Sequence, residues 1–227
     1  MKMISQTLAL RLCGALYLFI LITNAAGVAL GNKADEVDSE AKLLSINENP
    51  DKFRYSLIIS LVSHVGILLI SGLLYVAFSP FNRTMALIGT LFRLGEGFVM
   101  INNEFQLFSL FGIAKNYLLQ SSDKKGLIEM VDLLLQAKST GFLVGLFLLA
   151  VGALAYGVLF VSNGVIPMRL AWLGLAASVL SIVGILIRLR APSSSIVYAI
   201  GLLSMMIFEL SFGGWLLFYS SKAITDF

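Results

Sequence analysis

Residues 55–79 read YSLIISLVSHVGILLISGLLYVAFS, and not one of them is Asp, Glu, Lys or Arg. Wound as a helix at about 1.5 Å per residue, this run outreaches the roughly 30 Å hydrocarbon core of a bilayer. A helix satisfies its backbone polar groups internally, which is what lipid demands of a spanning segment. The stretch from Tyr55 to Ser79 is therefore read as a membrane span. Working outward, five more segments meet the same requirement: Leu12 to Gly31, Met85 to about Gly112, Gly141 to Ser162, Leu170 to Arg188, and Ile196 to Tyr219. The turns Ser79-Pro80-Phe81-Asn82, Asn163-Gly164-Val165-Ile166-Pro167 and Ala191-Pro192-Ser193 separate three pairs of them. Connections this short make the paired helices antiparallel neighbours. The first run also has features of a signal peptide, with Lys2 and Arg11 ahead of it and small residues at Asn24-Ala25-Ala26-Gly27. Its continuation through Val28-Ala29-Leu30 favours a span.

Composition agrees. Of 227 residues, 58% are apolar and 13% charged, against about 45–50% and 25% in ordinary soluble domains. Mean hydropathy is +0.91. A disordered chain, a coiled coil and a nucleic-acid-binding domain are excluded, as is almost any soluble enzyme. The net charge of +3 comes from cations scattered singly between apolar runs, so the expected partner is a lipid bilayer and not a nucleic acid. Cys13 is the single cysteine, which leaves no intrachain disulfide and no cysteine-based metal site. The expected fold class is all-α, one membrane domain over residues 1–227, with six transmembrane helices and two short peripheral helices in the long loops.

Those two helices come from the two long connections. Between Asn32 and Arg54, past the acidic group Asp35, Glu36, Asp38 and Glu40, a short helix is expected to reach about Asn47 and stop at Asn49-Pro50. Between Ala114 and Thr140, Leu127, Met130, Val131, Leu134 and Leu135 follow the i, i+3, i+4, i+7, i+8 pattern of one helical face. That segment either lies on the membrane surface or caps the bundle. The side holding both termini and the turns at 79–82 and 163–167 carries five Lys/Arg and one acid, and the other ten and nine, so raw counting favours the second side as cytoplasmic. Loop lengths make the cation densities nearly equal. Both termini are assigned to the cytoplasmic side, because the acidic, structured connections fit an external face.

Ionisable residues inside spans are the informative ones, since a lone central charge costs about 2.5–3.5 kcal/mol on insertion scales. Arg93, Glu96, Glu209 and His64 all fall near mid-span, and Glu104 falls near the far interface. At 100° per residue, Gly89, Arg93, Glu96, Gly97, Asn103 and Glu104 form one stripe on the third span. Arg93 and Glu96 are i, i+3 neighbours and can pair. The second span carries a stripe of Ser56, Ser60, Ser63, His64 and Ser71, and the sixth gathers Tyr198, Met205, Glu209, Phe212 and Gly213. The economical arrangement turns these faces toward one another. Arg93 is then neutralised by Glu96, Glu209 or both, a task for which a planar guanidinium is suited. Arg93, Glu96, Glu209, His64, Glu104 and Asn103 are accordingly the candidate binding residues.

No HExxH, GxSxG, Walker or EF-hand pattern occurs, and no catalytic residue, metal site or cofactor is assigned. Gly141 and Gly145 form a GxxxG, as do Gly27 and Gly31, and Gly174, Ser178 and Ser181 make a small face on the fifth span. Such faces permit close packing within the chain or in a homo-oligomer; no protein partner is otherwise indicated.

Several short motifs, in this order and spacing, resemble a bacterial six-span membrane family, domain of unknown function 4386. The resemblance covers most of the chain. It rests on Arg11-Leu12-Cys13-Gly14-Ala15-Leu16-Tyr17-Leu18, on Asn82-Arg83 followed by Phe92-Arg93-Leu94 and Glu96, on Gly141-Phe142-Leu143-Val144-Gly145, on Ile166-Pro167-Met168-Arg169, and on Glu209 with Trp215-Leu216. Where that family often has a histidine or an aromatic just before the Gly-Phe pair, this chain has Ser139 and Thr140. The resemblance implies a bacterial cytoplasmic membrane location and brings no activity with it. Three functions stay open: a centre for a proton, ion or small polar solute, an accessory protein whose charges fix helix packing, and an intramembrane enzyme acting on lipid.

Overall fold

The computed structural model describes residues 6–30, 38–119, 124–191 and 196–218. Gly31, Asp35 and Glu36, the Pro192-Ser193 turn, and the terminal charges Lys2, Lys222 and Asp226 lie outside them. The described residues form helices α1 (Gln6–Ala29), α2 (Ser39–Glu48), α3 (Pro50–Phe78), α4 (Arg83–Phe108), α5 (Leu110–Leu119), α6 (Lys124–Asn163), α7 (Met168–Arg190) and α8 (Ile196–Phe218). No strand occurs among them. Local chemistry fixes the boundaries. The Asp38 carboxylate accepts from the Ala41 amide at the start of α2. Pro50 opens α3, where its missing N–H has no helical partner to lose. The Asn82 side chain accepts from the Met85 amide at 3.0 Å and so caps α4. Gly164, at φ 64°, ends α6 in the left-handed conformation that only glycine adopts cheaply.

Among the described residues, six helices are long and apolar enough to cross a membrane, counting α4 and α5, which are interrupted at Ser109, as one. They close a ring in which α1 packs on α3 and α8, α3 on α4, α4 on α6, α6 on α7, and α7 on α8. Lengths are unequal: α6 has 40 residues and α7 has 23, about 60 Å against about 35 Å. The two helices share the short turn at residues 164–167, so the excess of α6 projects from the opposite end of the bundle. There α2 and α5 gather around it, the start of α3 and the end of α4. Leu43, Ile46, Phe53, Leu57, Leu110 and Val131 form the core of this cap. Hydrogen bonds from Tyr117 to Glu40 and from Ser39 to Asp132 tie α2 to its neighbours, and Asn47 Nδ2 donates to the Ala114 carbonyl at 2.7 Å. Lys42 is buried over the Phe53 ring; loss of water lowers its ammonium pKa below the usual value.

The first short helix forms where expected. The amphipathic run from Leu127 to Leu135 caps the bundle, with Val131 and Leu135 buried, but it is the leading part of α6 and not a separate helix. The physical reason is continuity of face: Val131, Leu135, Gly145 and Leu149 are all turned inward, and no proline interrupts the run. The second short helix of the fold is α5, which starts at the end of the segment expected to be the third span and runs into the connection expected from Ala114.

At the short-turn end an aromatic core fills the bundle. Phe78, Tyr156, Phe160, Phe208 and Phe212 meet edge-on or stacked, with ring centroids from 4.8 to 6.2 Å apart. Small faces bring backbones together elsewhere. A Cβ built on Gly201 would stand 2.8 Å from Ser181 Cα and 2.9 Å from the Leu180 carbonyl, whereas one on Gly72 meets nothing within 4 Å. Gly201→Ala is therefore expected to destabilise by about 1–3 kcal/mol through overpacking of α7 on α8. Gly72→Ala should be neutral or slightly stabilising. Thermal unfolding of the two variants in detergent, side by side with the wild type, checks the contrast.

Candidate functional site

The inward stripe of α4 supplies the centre. Gly89, Thr90, Arg93, Glu96, Gly97, Asn103 and Glu104 are all buried on it. The stripe fits because α6 faces it with glycines. A Cβ on Gly152 would stand 3.2 Å from Arg93 Cγ, one on Gly145 2.5 Å from Met100 Cε, and one on Gly141 would overlap the Asn103 amide. Arg93 Nη1 lies 2.8 Å from Glu96 Oε2 and 3.5 Å from Glu209 Oε1 of α8. Its guanidinium also stands 5.7 Å from the centre of the Tyr17 ring of α1. The side chains of Arg93 and Glu96 are 4% and 5% exposed, that of Glu209 14%. Glu209 is thus the looser and more accessible of the two carboxylates.

About three turns along α4, roughly 16 Å toward the cap, a second polar group appears. His64 Nδ1 of α3 faces Glu104 Oε1 at 3.8 Å, too far for a hydrogen bond. Asn103 is buried beside it. The serine stripe of α3 is spent on helix contacts: Ser63 Oγ donates to Asn24 Oδ1 at 2.8 Å and so holds α1 to α3.

A cavity of about 730 Å³ joins the two groups. Arg93, Glu96 and Glu209 form its floor, and His64, Asn103, Glu104, Lys138, Ser60 and Asn24 line its cap-side half. Ile20, Leu21, Leu146 and Met206 supply apolar wall. The exposed members of the lining, Ala25, Val28, Ala29, Phe142 and Met206, are all apolar. The mouth is therefore edged by side chains suited to acyl chains, on the half of the bundle nearer the cap. Toward the short turns the path is closed by the aromatic core. A pocket of about 10 Å³ lies beyond Arg93, walled by Tyr17, Tyr156, Phe160 and Phe212, room for a single water.

All six residues singled out in the sequence thus line one cavity, in two groups along its length. Sequence reasoning passed over Tyr17, Asn24 and Lys138. Their signal was spacing. Lys138 follows Val131 and Leu135 at i+7 and i+3, so it shares their inward face. Asn24 stands seven residues beyond Tyr17 and four beyond Ile20, both of which face inward. No group of three His, Cys, Asp or Glu able to hold a metal ion occurs among the described residues.

Removing Arg93 alone leaves two buried carboxylates without a counter-charge. Arg93→Ala should lower stability by about 3–5 kcal/mol, whereas replacing Arg93, Glu96 and Glu209 together by apolar residues of like volume should restore folded yield. Detergent-solubilised yield and melting temperature of the single and triple variants measure this.

A family model described as Domain of unknown function (DUF4386) matches residues 12–219. No curated protein and no solved structure matches the chain. That match takes in the six long helices and every residue of the polar cavity, and it makes this chain a multi-pass membrane protein that belongs to the DUF4386 family.

Proposed function

We propose that the protein is a solute-handling membrane protein, in which Arg93, Glu96 and Glu209 receive the polar part of a small ligand, or a proton, that arrives through the cavity. One observation carries this reading: a space of about 730 Å³ ends on three charged groups and not on packed side chains. An ion pair that only fixed helix register would be packed over, because protein interiors hold few voids larger than a water. The volume falls within the roughly 300–1,000 Å³ of small-molecule sites. A dead end at the aromatic core gives the centre access from one side, as a gated site requires. With both termini cytoplasmic, that side is the outer half of the membrane.

A second reading, chemistry on a membrane lipid, is favoured by a different observation. Met206, at the apolar mouth, precedes Glu209 by one helical turn. Disappearance of a lipid species from proteoliposomes over time would support it, and unchanged lipid would count against it.

Accessibility tests the main proposal. In a Cys13→Ser background, Ser139→Cys and Met206→Cys line the cavity and should react with a small maleimide. Ser178→Cys, buried between α7 and α8, should not. Equal labelling at all three positions, or none at the first two, would defeat the proposal. In liposomes, proton flux measured with an entrapped dye should differ between wild type and Glu209→Gln.

A further inference from the structure

We infer that the ligand of this cavity is a lipophilic cation, such as an organic ammonium or phosphonium ion, which exchanges with a proton at the Glu96–Glu209 pair. The inference rests on the reading of the cavity as a binding site and names what enters it.

Glu209 faces Arg93 and Glu96 from α4 and Tyr17 from α1. Around the same void stand His64 from α3, Glu104 from α4 and Lys138 from α6, with Tyr156 beneath the floor. Helix α7 adds no ionisable side chain to either lining. One guanidinium therefore serves two carboxylates. Among the described residues of the lining, Arg93 and Lys138 oppose Glu96, Glu104 and Glu209, so one negative charge is in excess when His64 is neutral. At membrane depth such an excess must be met by a proton or by another cation.

The position of the excess is specific. Arg93 Nη1 sits closer to Glu96 than to Glu209, by 2.8 Å against 3.5 Å, and Glu209 is the more exposed of the two. Glu209 is thus the carboxylate that a ligand reaches first.

The walls decide the kind of cation. A hard inorganic ion such as calcium needs six to eight oxygen ligands. Here Ile20, Leu21, Leu146, Leu149 and Met206 surround the approach, and they suit a cation that carries its own apolar shell. An anionic ligand would meet two carboxylates at the floor. Binding balances as a substitution: the cation takes the place beside the carboxylate, and the displaced proton leaves to solvent. Affinity must then fall as pH drops through the titration of the pair, by up to about tenfold per unit, and level off above it.

The test uses purified full-length protein in detergent and three probes of similar size: tetraphenylphosphonium, tetraphenylborate and neutral triphenylphosphine oxide. Equilibrium dialysis at stepped pH should show binding of the phosphonium ion in preference to the other two, tightening as pH rises, and binding in weak buffer should release protons. Glu209→Gln should weaken phosphonium binding about tenfold or more and flatten its pH dependence. Glu209→Asp, which keeps the charge if the glutamine variant misfolds, should retain both. Glu129→Gln, on the exposed face of α6, should behave as wild type. Equal or tighter binding of the anion or the neutral probe, or phosphonium binding that ignores pH and Glu209, overturns the inference while the cavity reading stands. Failure of all three probes to bind overturns it too, and combined with unreactive Ser139→Cys and Met206→Cys it removes the cavity reading as well.

Discussion

The structure depends on one constraint: a guanidinium held at mid-depth in an apolar slab must be neutralised within the bundle. Arg93 meets it with Glu96 on its own helix and Glu209 on the last one. The first contact is local and needs only helical spacing. The second joins α4 to α8, which are not neighbours in the ring of helices. The charge contact therefore reaches across the bundle, and the glycines of α6 are what let the long Arg93 side chain lie along α4 toward it. Tyr17 stands beside the same guanidinium and brings α1 into the same contact. Three helices distant in sequence are fixed to one another through a single side chain.

Around that centre the bundle is asymmetric. Toward the short turns it is filled by phenylalanines and tyrosines that pack ring against ring. Toward the cap, α1, α3, α4, α6 and α8 line a space with charged groups at the floor and again farther toward the cap. Aromatic rings fill volume efficiently and exclude water, so one half of the bundle behaves as a plug. The other half has Asn24, Ser60, His64, Asn103, Glu104 and Lys138 in its lining beside apolar side chains such as Ile20, Leu21, Leu146 and Met206. A protein built for stability alone would have filled both halves.

The cap adds the other departure from a minimal bundle. The leading part of α6 projects past the bundle at one end, and there α2 and α5 pack with it, the start of α3 and the end of α4 around a separate apolar core. The ends that the cap ties belong to helices that carry His64, Glu104 and Lys138. The cap, through its own apolar core, ties these helices together beyond the level of His64, Glu104 and Lys138.

Much of this is legible in the residues. Apolar runs long enough to span, the turns between them, and the α2 helix between Asp38 and Pro50 follow from hydropathy and capping, because those are properties of a few adjacent residues. The polar stripe of α4 follows from 100° periodicity, for the same reason. The continuity of α6 through Ser139-Thr140-Gly141 was not legible, since a polar segment ahead of an apolar one reads equally as a loop. Pattern alone placed Arg93, Glu96 and Glu209 at one depth, but not whether Glu209 would lie within 3.5 Å of Arg93 or face another helix. Lys138 and Asn24 share inward faces by the same spacing, but pattern did not show that they would line one cavity with His64 and Glu104. Distances between helices depend on which glycines meet which side chains across an interface, as Gly141 meets Asn103 and Gly152 meets Arg93. Sequence determined the spans and their polar faces because local geometry is periodic; only tertiary packing decided that those faces would stand apart and leave a cavity, because an empty volume is a property of no single helix.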